Sequence, residues 1–428
     1  MLVRIVYTLL LALASPLLLF GLYKSKPNKP KFGSRWKEHF GITPKLKSND
    51  KPIWIHAVSV GESIAATPLI KALKEQNPEQ SILVTTTTST GAEQIAKLGD
   101  LIEHRYMPID FGFAIKGFLK AVQPKQMLII ETELWPNTLH NIHKAGIPIT
   151  VVNARLSEKS CQNYAKIQRL FNQLHPCLTQ VLCQTDSDAE HFERLGVEKK
   201  KLSVTGSIKF DIQISEQVKQ QGQQLRAQLG NDRPIWIAAS THKGEDEQVL
   251  DAHRQVLKSH PNALLVLVPR HPERFDDVFT LCQQQGFNTV RRTSTHSVET
   301  NTQVYLGDTM GEMLTLMGAA DICFMGGSLI GDKVGGHNVL EPAVLGVPTI
   351  TGPSFFNFED IVVTMKKEGV IDIAQNSQEI ALYTALYMSN KNQRNEISSK
   401  LKAFTSKRCG ALKSTIQKLN AINGQLIL

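Results

Sequence analysis

Six short stretches carry residue types from which a group-transfer site can be assembled. Val58-Ser59-Val60-Gly61-Glu62-Ser63 places a carboxylate just after an apolar strand pattern, at the start of a helical one. Gly61 permits a sharp turn, and a partly desolvated Glu62 has the chemistry of a general base for a hydroxyl. The competing reading is an acidic residue stabilised by a helix N-terminus. Glu131-Thr132-Glu133-Leu134-Trp135-Pro136-Asn137 puts two carboxylates at another strand end, suited to binding hydroxyls or organising a base. Pro136 equally suits a first helical turn, with Glu133 before it as a cap. Lys209, in Thr205–Asp211, has the charge to steady a leaving phosphate, or else is a solvated lysine. Arg270, in Pro269-Arg270-His271-Pro272-Glu273-Arg274, ends a strand where a guanidinium can bind phosphate through two parallel bonds; His271 and Arg274 can instead stabilise the loop.

Two more stretches offer backbone rather than side chains. Gly307-Asp308-Thr309-Met310-Gly311-Glu312-Met313 runs from strand end to helix start, so the N–H groups of Met310, Gly311 and Glu312 can cradle a phosphate or a base edge; the plainer reading is a helix capped by Asp308 or Thr309. Gly326–Pro353 passes from an apolar strand through a glycine-rich loop to His337-Asn338 and a helical pattern carrying Glu341. Glycines let backbone approach a phosphate, a helix start supplies free N–H groups, and a carboxylate one turn in can accept two ribose hydroxyls. The plainer reading is a connection between two strands with a solvated glutamate. Asp186-Ser187-Asp188 is the one D-x-D pattern, and its place at a helix start favours capping over metal binding. No GxGxxG, Walker loop or GxSxG elbow is present, which weighs against a dehydrogenase, a P-loop NTPase or an α/β-hydrolase.

The elements that must position these residues alternate. Short apolar runs at 53–58, 82–86, 127–130, 147–152 and 181–184 are each followed by a helical pattern, and something polar sits at every C-terminal strand end. That rhythm predicts a parallel sheet with helices on both faces and ligands at the strand ends. A polar, glutamine-rich segment, 212–232, reads as a linker. The rhythm restarts with strands at 235–239, 263–268, 304–306 and 322–325, giving a second Rossmann-like domain over 233–428 that ends in helices. The first domain covers 25–211.

Ahead of it, residues 1–24 include the uncharged run Ile5–Tyr23, about long enough to cross a bilayer. Lys24, Lys26, Lys29, Lys31, Arg35 and Lys37 follow it and only Arg4 precedes it, so a membrane anchor with a cytoplasmic body is expected. A cleaved signal peptide and a buried soluble helix are the alternatives. The net charge of +9 favours anionic partners. Six scattered cysteines without a CxxC pair speak for a reducing compartment and against a zinc site.

The motifs VSVGE (58–62), ETELWPN (131–137), NARLS (153–157), TGSIKFD (205–211), PRHPERF (269–275), GDTMGE (307–312) and GGHNVLEP (335–342), in this order, resemble those of the 3-deoxy-D-manno-octulosonic acid (Kdo) transferases of lipopolysaccharide synthesis. The resemblance runs over nearly the whole chain. It implies the GT-B fold, two Rossmann-like α/β domains facing a cleft. It implies an inner-membrane enzyme that transfers Kdo from CMP-Kdo to a hydroxyl of lipid A precursor with inversion, releasing CMP. Glu62 matches the general base, and Glu131 and Lys209 match positions of transition-state support. Pro269, Arg270, Met310, Gly311, Glu312, Asn338, Leu340 and Glu341 match positions that hold CMP. No metal or other cofactor is expected. The loop Leu329–Gly336 is longer than the family's pattern. Another GT-B transferase of envelope synthesis, such as a polymerase of teichoic-acid type, is the second enzyme reading. A non-catalytic basic protein binding membrane or nucleic acid is the third; aromatics at 7% and lysines grouped near both ends argue against a nucleic-acid partner.

Overall fold

Strands covered by helices on both faces need no polar alternation and read as unbroken apolar runs. The computed structural model, which describes residues 2–24, 30–48 and 50–425, has two such sheets. The first is built from β1 (Ile53–His56), β2 (Ile82–Thr86), β3 (Glu103–Tyr106), β4 (Gln126–Ile130), β5 (Ile149–Ala154), β6 (Gln180–Cys183) and β7 (Leu202–Val204). Its order is β3-β2-β1-β4-β5-β6-β7, with parallel ladders throughout. The second holds β8 (Ile235–Thr241), β9 (Leu264–Pro269), β10 (Thr289–Arg291), β11 (Val304–Leu306), β12 (Ile322–Met325), β13 (Thr349–Thr351) and β14 (Ile371–Ile373), in the order β10-β11-β9-β8-β12-β13-β14, also parallel. The edge strands β3, β7, β10 and β14 are absent from the sequence-based rhythm. They are three or four residues long and mostly half-buried, so they carry no continuous apolar signal.

Each sheet reverses direction beside its first strand. The chain leaves β1 toward β2 and returns on the other side as β4; it leaves β8 toward β9 and returns as β12. Such a switch point opens a crevice at the C-terminal strand ends, where loops can diverge. Both first strands bury a tryptophan completely in the same place, Pro-Ile-Trp-Ile, with the indole N–H of Trp54 donated to Thr85 Oγ1 at 2.8 Å and that of Trp236 to His253 Nδ1 at 3.1 Å.

The helices used below are α1 (Leu2–Tyr23), α2 (Val60–Gln76), α3 (Gly112–Val122), α4 (Pro136–Lys144), α5 (Glu216–Leu229), α6 (Met313–Gly318), α7 (Leu340–Leu345) and α8 (Ala411–Gln425). The chain divides into a unit of Met1–Asp211 with Arg408–Leu428 and a unit of Ile212–Lys407. Two sequence-based assignments are corrected. The expected linker 212–232 contains α5, which packs inside the second unit: Gly222 approaches the Gly318 backbone closely, where an added Cβ would stand 3.3 Å from Cα, and Arg226 pairs with Asp321 at 3.0 Å. The C-terminal helix α8, expected with the second domain, completes the first. Ala411, Ile416 and Leu419 join Ala65, Leu69 and Ile70 in one core, and Asp211 accepts the N–H groups of Gly410 and Leu412. Lys26 and Lys29 of the expected basic cluster lie outside the described residues.

Candidate active site

In the first unit the crevice between β1 and β4 collects the carboxylates. Ser59 caps α2, its Oγ accepting the N–H of Glu62 at 3.3 Å. Glu62 folds back: Oε2 accepts the N–H of Val58 at 2.8 Å and Oε1 accepts Ser59 Oγ–H at 2.9 Å. Its side chain is thereby fixed at the strand end and almost fully buried, at 8% exposure. Burial is the largest influence on its acidity and raises its pKa to about 7. The Val58 and Ser59 hydrogen bonds oppose that rise, and the charges of Glu133 and Glu131 add to it. A carboxyl that titrates near neutrality is matched to proton abstraction at physiological pH.

Glu131, one residue past β4, stands across the crevice and accepts an ion pair from Lys209 Nζ at 2.7 Å. Its φ of +63° is left-handed, a conformation that costs a non-glycine residue on the order of 1–3 kcal/mol and clusters at functional sites. Glu133 turns aside and accepts the indole N–H of Trp135 at 2.8 Å. Sequence reasoning missed how Lys209 is held. Asn153, at the end of β5 with φ +55°, is completely buried; its Oδ1 accepts the N–H of Ile208 at 3.1 Å, which fixes the short turn Ile208–Phe210 carrying Lys209. Among the described residues, Asn153 Nδ2 has no hydrogen-bond partner. The available signal was a buried amide ending an otherwise apolar strand.

In the second unit the corresponding crevice lies between β8 and β12. Gly326 is required there: a Cβ would meet Ser240 O at 2.9 Å. Gly327 has φ +70°, and a Cβ would press on the His337 ring at 2.8 Å. The loop is pinned by Glu245, which sequence reasoning also missed. Its buried carboxylate accepts the N–H of His242 at 2.9 Å and of Gly327 at 2.7 Å on Oε2, and those of Ser328 at 2.8 Å and Leu329 at 2.9 Å on Oε1. His242 and His337 face each other, Nε2 to Nε2 at 2.8 Å, with their rings stacked; His271 packs edge-on against His242. Burial is the first cause, and the surrounding cations a second, of His242 falling to about 4 and His337 to about 3.

Arg270 reaches the surface at the end of β9 and acts electrostatically on both Glu341 and His337. Glu341 is pushed upward by burial, against a hydrogen bond from Asn338 Nδ2 at 3.3 Å and the charge of Arg270. Asn338, Glu341 and Arg270 are therefore brought together. Met310 is exposed, and Gly311 holds φ +85° in the turn before α6. The carboxylate of Glu312 is engaged by Arg292, at 3.0 and 2.8 Å, and by the Thr309 hydroxyl. Leu340 is buried and donates its N–H to Asn338 Oδ1 at 3.2 Å, and Pro269 is buried as the last residue of β9. The helix after the glycine loop, α7, has only six residues, so its dipole is weaker than a longer helix would supply.

Residues 34–212 match the family model described as 3-deoxy-D-manno-octulosonic-acid transferase, and residues 234–404 match glycosyl transferases group 1. The 3-deoxy-D-manno-octulosonic acid transferase of Haemophilus influenzae is 38% identical over 97% of this chain and 98% of its own. The chain belongs to the Kdo transferase family. The Bordetella pertussis Kdo transferase is 33% identical, over 86% of each chain. Among solved structures, the C-terminal CMP-Kdo binding domain of WaaA from Acinetobacter baumannii aligns at 38% identity over 44% of this chain and 97% of its own, with a TM-score of 0.42. The UDP-GlcNAc 2-epimerase of Neisseria meningitidis shares the fold at 13% identity, covering 87% of this chain and 100% of its own, with a TM-score of 0.52. As a Kdo transferase the protein is a glycosyltransferase enzyme of lipopolysaccharide biosynthesis. The two α/β units are those of a GT-B enzyme, preceded by an apolar helix.

Proposed function

We propose that this enzyme transfers Kdo from CMP-Kdo to a hydroxyl of a lipid A precursor at the cytoplasmic face of the bacterial inner membrane. The observation that carries the reading is Glu62: a buried carboxyl at a strand-end crevice, titrating near 7, with the Glu131–Lys209 pair beside it. Ionised Glu62 takes the proton of the acceptor hydroxyl. The oxygen attacks the anomeric carbon of Kdo, the bond from that carbon to the CMP phosphate breaks, and CMP leaves from the opposite face with the bonding electron pair, so configuration inverts. Lys209 offsets developing negative charge. Arg270 receives phosphate, Glu341 and Asn338 receive ribose hydroxyls, and the backbone at Met310–Glu312 meets the rest of the nucleotide. Pro269 and Leu340 support this surface from beneath. The leaving group is a monophosphate ester, for which a guanidinium and backbone amides are sufficient counter-charge, so the transfer is proposed to need no metal.

The direct test is CMP release from CMP-Kdo in the presence of a tetraacylated lipid A precursor. No Kdo-bearing product would overturn the proposal. Glu62→Gln is expected to lower kcat by about 10²–10⁴ with CMP-Kdo affinity retained. Dialysis against EDTA is expected to leave the rate unchanged, and a loss restored by a divalent cation would overturn the metal-free step.

A further inference from the structure

The apolar helix α1 is long enough to cross a bilayer, at 22 residues. It does not project from the first unit; it is held by it at both ends. Near the N-terminal end, Tyr7 Oη donates to Asp110 Oδ2 at 2.9 Å and Asn137 Nδ2 donates to Thr8 Oγ1 at 2.9 Å. Asp110 is a built anchor point: it is buried and also accepts the N–H groups of Asn137 and Thr138, at 3.1 and 2.6 Å. At the C-terminal end, Tyr23 Oη meets His39 Nδ1 at 2.7 Å and its ring stands edge-on to Phe32. Between these ends every fourth residue, Tyr7, Leu11, Ser15, Leu19 and then Tyr23, is half-buried, one stripe along the protein. The other faces are bare: Leu13 is 80% and Leu17 76% exposed, with Leu9 and Phe20 alongside.

Tyr7 and Tyr23 are about 24 Å apart along the helix axis at 1.5 Å per residue. That is most of the roughly 30 Å hydrocarbon core. A helix crossing the bilayer would therefore drag its seat on the protein into hydrocarbon. Beside Arg4 and Thr8 that seat presents Lys116 of α3 and His140 and Lys144 of α4. Ionisable groups facing lipid at that depth are strongly disfavoured, as is the non-helical backbone around Asp110. Lys24 and Lys31 flank the other end, where Trp36, 45% exposed, has the amphipathic ring that favours a membrane interface.

We propose that α1 lies in the plane of the membrane interface rather than across it. Its Leu9–Leu13–Leu17–Phe20 face enters the acyl chains, and the cations at both ends rest on anionic phosphate headgroups. This gives the expected membrane anchor an orientation and rests on the reading of α1 as the membrane-seeking element.

The test uses the full-length protein bound to preformed sealed vesicles of phosphatidylglycerol and phosphatidylcholine. With Cys409→Ser as background, spin labels at Leu9→Cys, Leu13→Cys, Leu17→Cys and Phe20→Cys should report one shared shallow depth from oxygen and nickel-chelate collisions. In the otherwise natural chain, Leu2→Cys should react with an impermeant maleimide from outside as readily as exposed Cys409. The double variant Lys116→Gln/Lys144→Gln should partition about 25-fold more weakly, about five-fold per lysine, and should be unaffected on phosphatidylcholine alone. A depth profile peaking near Leu13, with Leu2→Cys protected until the vesicles are opened, would overturn the in-plane orientation alone. Failure to bind either vesicle would overturn the membrane reading with it.

Discussion

In the proposed mechanism Glu62 couples catalysis to stability through one proton. Its folded-state pKa of about 7 lies above the ordinary 4.5. The ionised base is absent well below neutrality, so kcat/KM is expected to fall tenfold per pH unit below about 7. The sign for stability is opposite. Below pH 4.5 both folded and unfolded chains hold the proton. Between 4.5 and 7 the unfolded chain releases it first, and folding weakens by roughly 3 kcal/mol across that window. Glu62→Gln keeps the neutral hydrogen-bonded form and should escape that loss. Urea unfolding at pH 5 and pH 8 measures it; equal pH dependence in both proteins would show that Glu62 is not held neutral. Asn153 acts through backbone. Asn153→Ala should destabilise by about 1–3 kcal/mol and lower kcat while KM for CMP-Kdo holds, and Asn153→Asp, which keeps the acceptor for Ile208, should recover most of kcat. Glu62 and Glu131 were legible in the sequence because each follows an apolar strand run, and Lys209 only through its motif Thr205–Asp211, because the short edge strand β7 before it carries no apolar signal. Asn153 was not, because its partner is a backbone N–H in a turn 55 residues away.

At the scale of elements, one carboxylate organises the glycine loop. Glu245 gathers N–H groups from β8's exit and from Gly327–Leu329, so the loop's shape depends on a residue more than eighty positions earlier. Glu245→Gln loses acceptor capacity against these donors. It is expected to raise KM for CMP-Kdo about tenfold, the effect of about 1.4 kcal/mol, with KM for the acceptor unchanged. Equal changes in both constants would point to general loosening of the fold. The loop and its glycines were visible in the sequence. The pinning residue was not, because a glutamate four residues past a strand, in a polar stretch, resembles any solvated loop residue. The central strands were legible for the opposite reason: β1, β4, β8 and β9 are buried at every position and carry the signal themselves.

For the whole molecule, the sequence conveyed two repeated α/β units but not their ownership of the chain's end. Amphipathic helices near a C-terminus show an apolar face, and nothing in that face says which core receives it. The structure gives Ala411, Ile416 and Leu419 to the first unit. Deleting residues 408–428 should therefore expose Ala65, Leu69 and Ile70. The expected loss is about 2–5 kcal/mol from the first unit, with hydrogen exchange accelerating around α2 and β1 and little change around β8 and β9. Acceleration confined to the second unit would reverse the assignment. The net charge of +9 also belongs to this scale: weaker membrane recovery with rising salt is its expected signature.

The return of α8 to the first unit has a consequence for synthesis. When Asp211 leaves the ribosome, the sheet that holds Glu62 has all its strands and still lacks its last helix. About two hundred residues, including the whole second unit, must be made before that helix exists. At about 5–20 residues per second, the apolar seat on α2 stays open for roughly 10 to 40 s. The second unit, contiguous in the chain, can fold during that wait. The first unit is finished last, so a polypeptide cut short anywhere before Ala411 carries an unsealed core and is marked for chaperones and proteases.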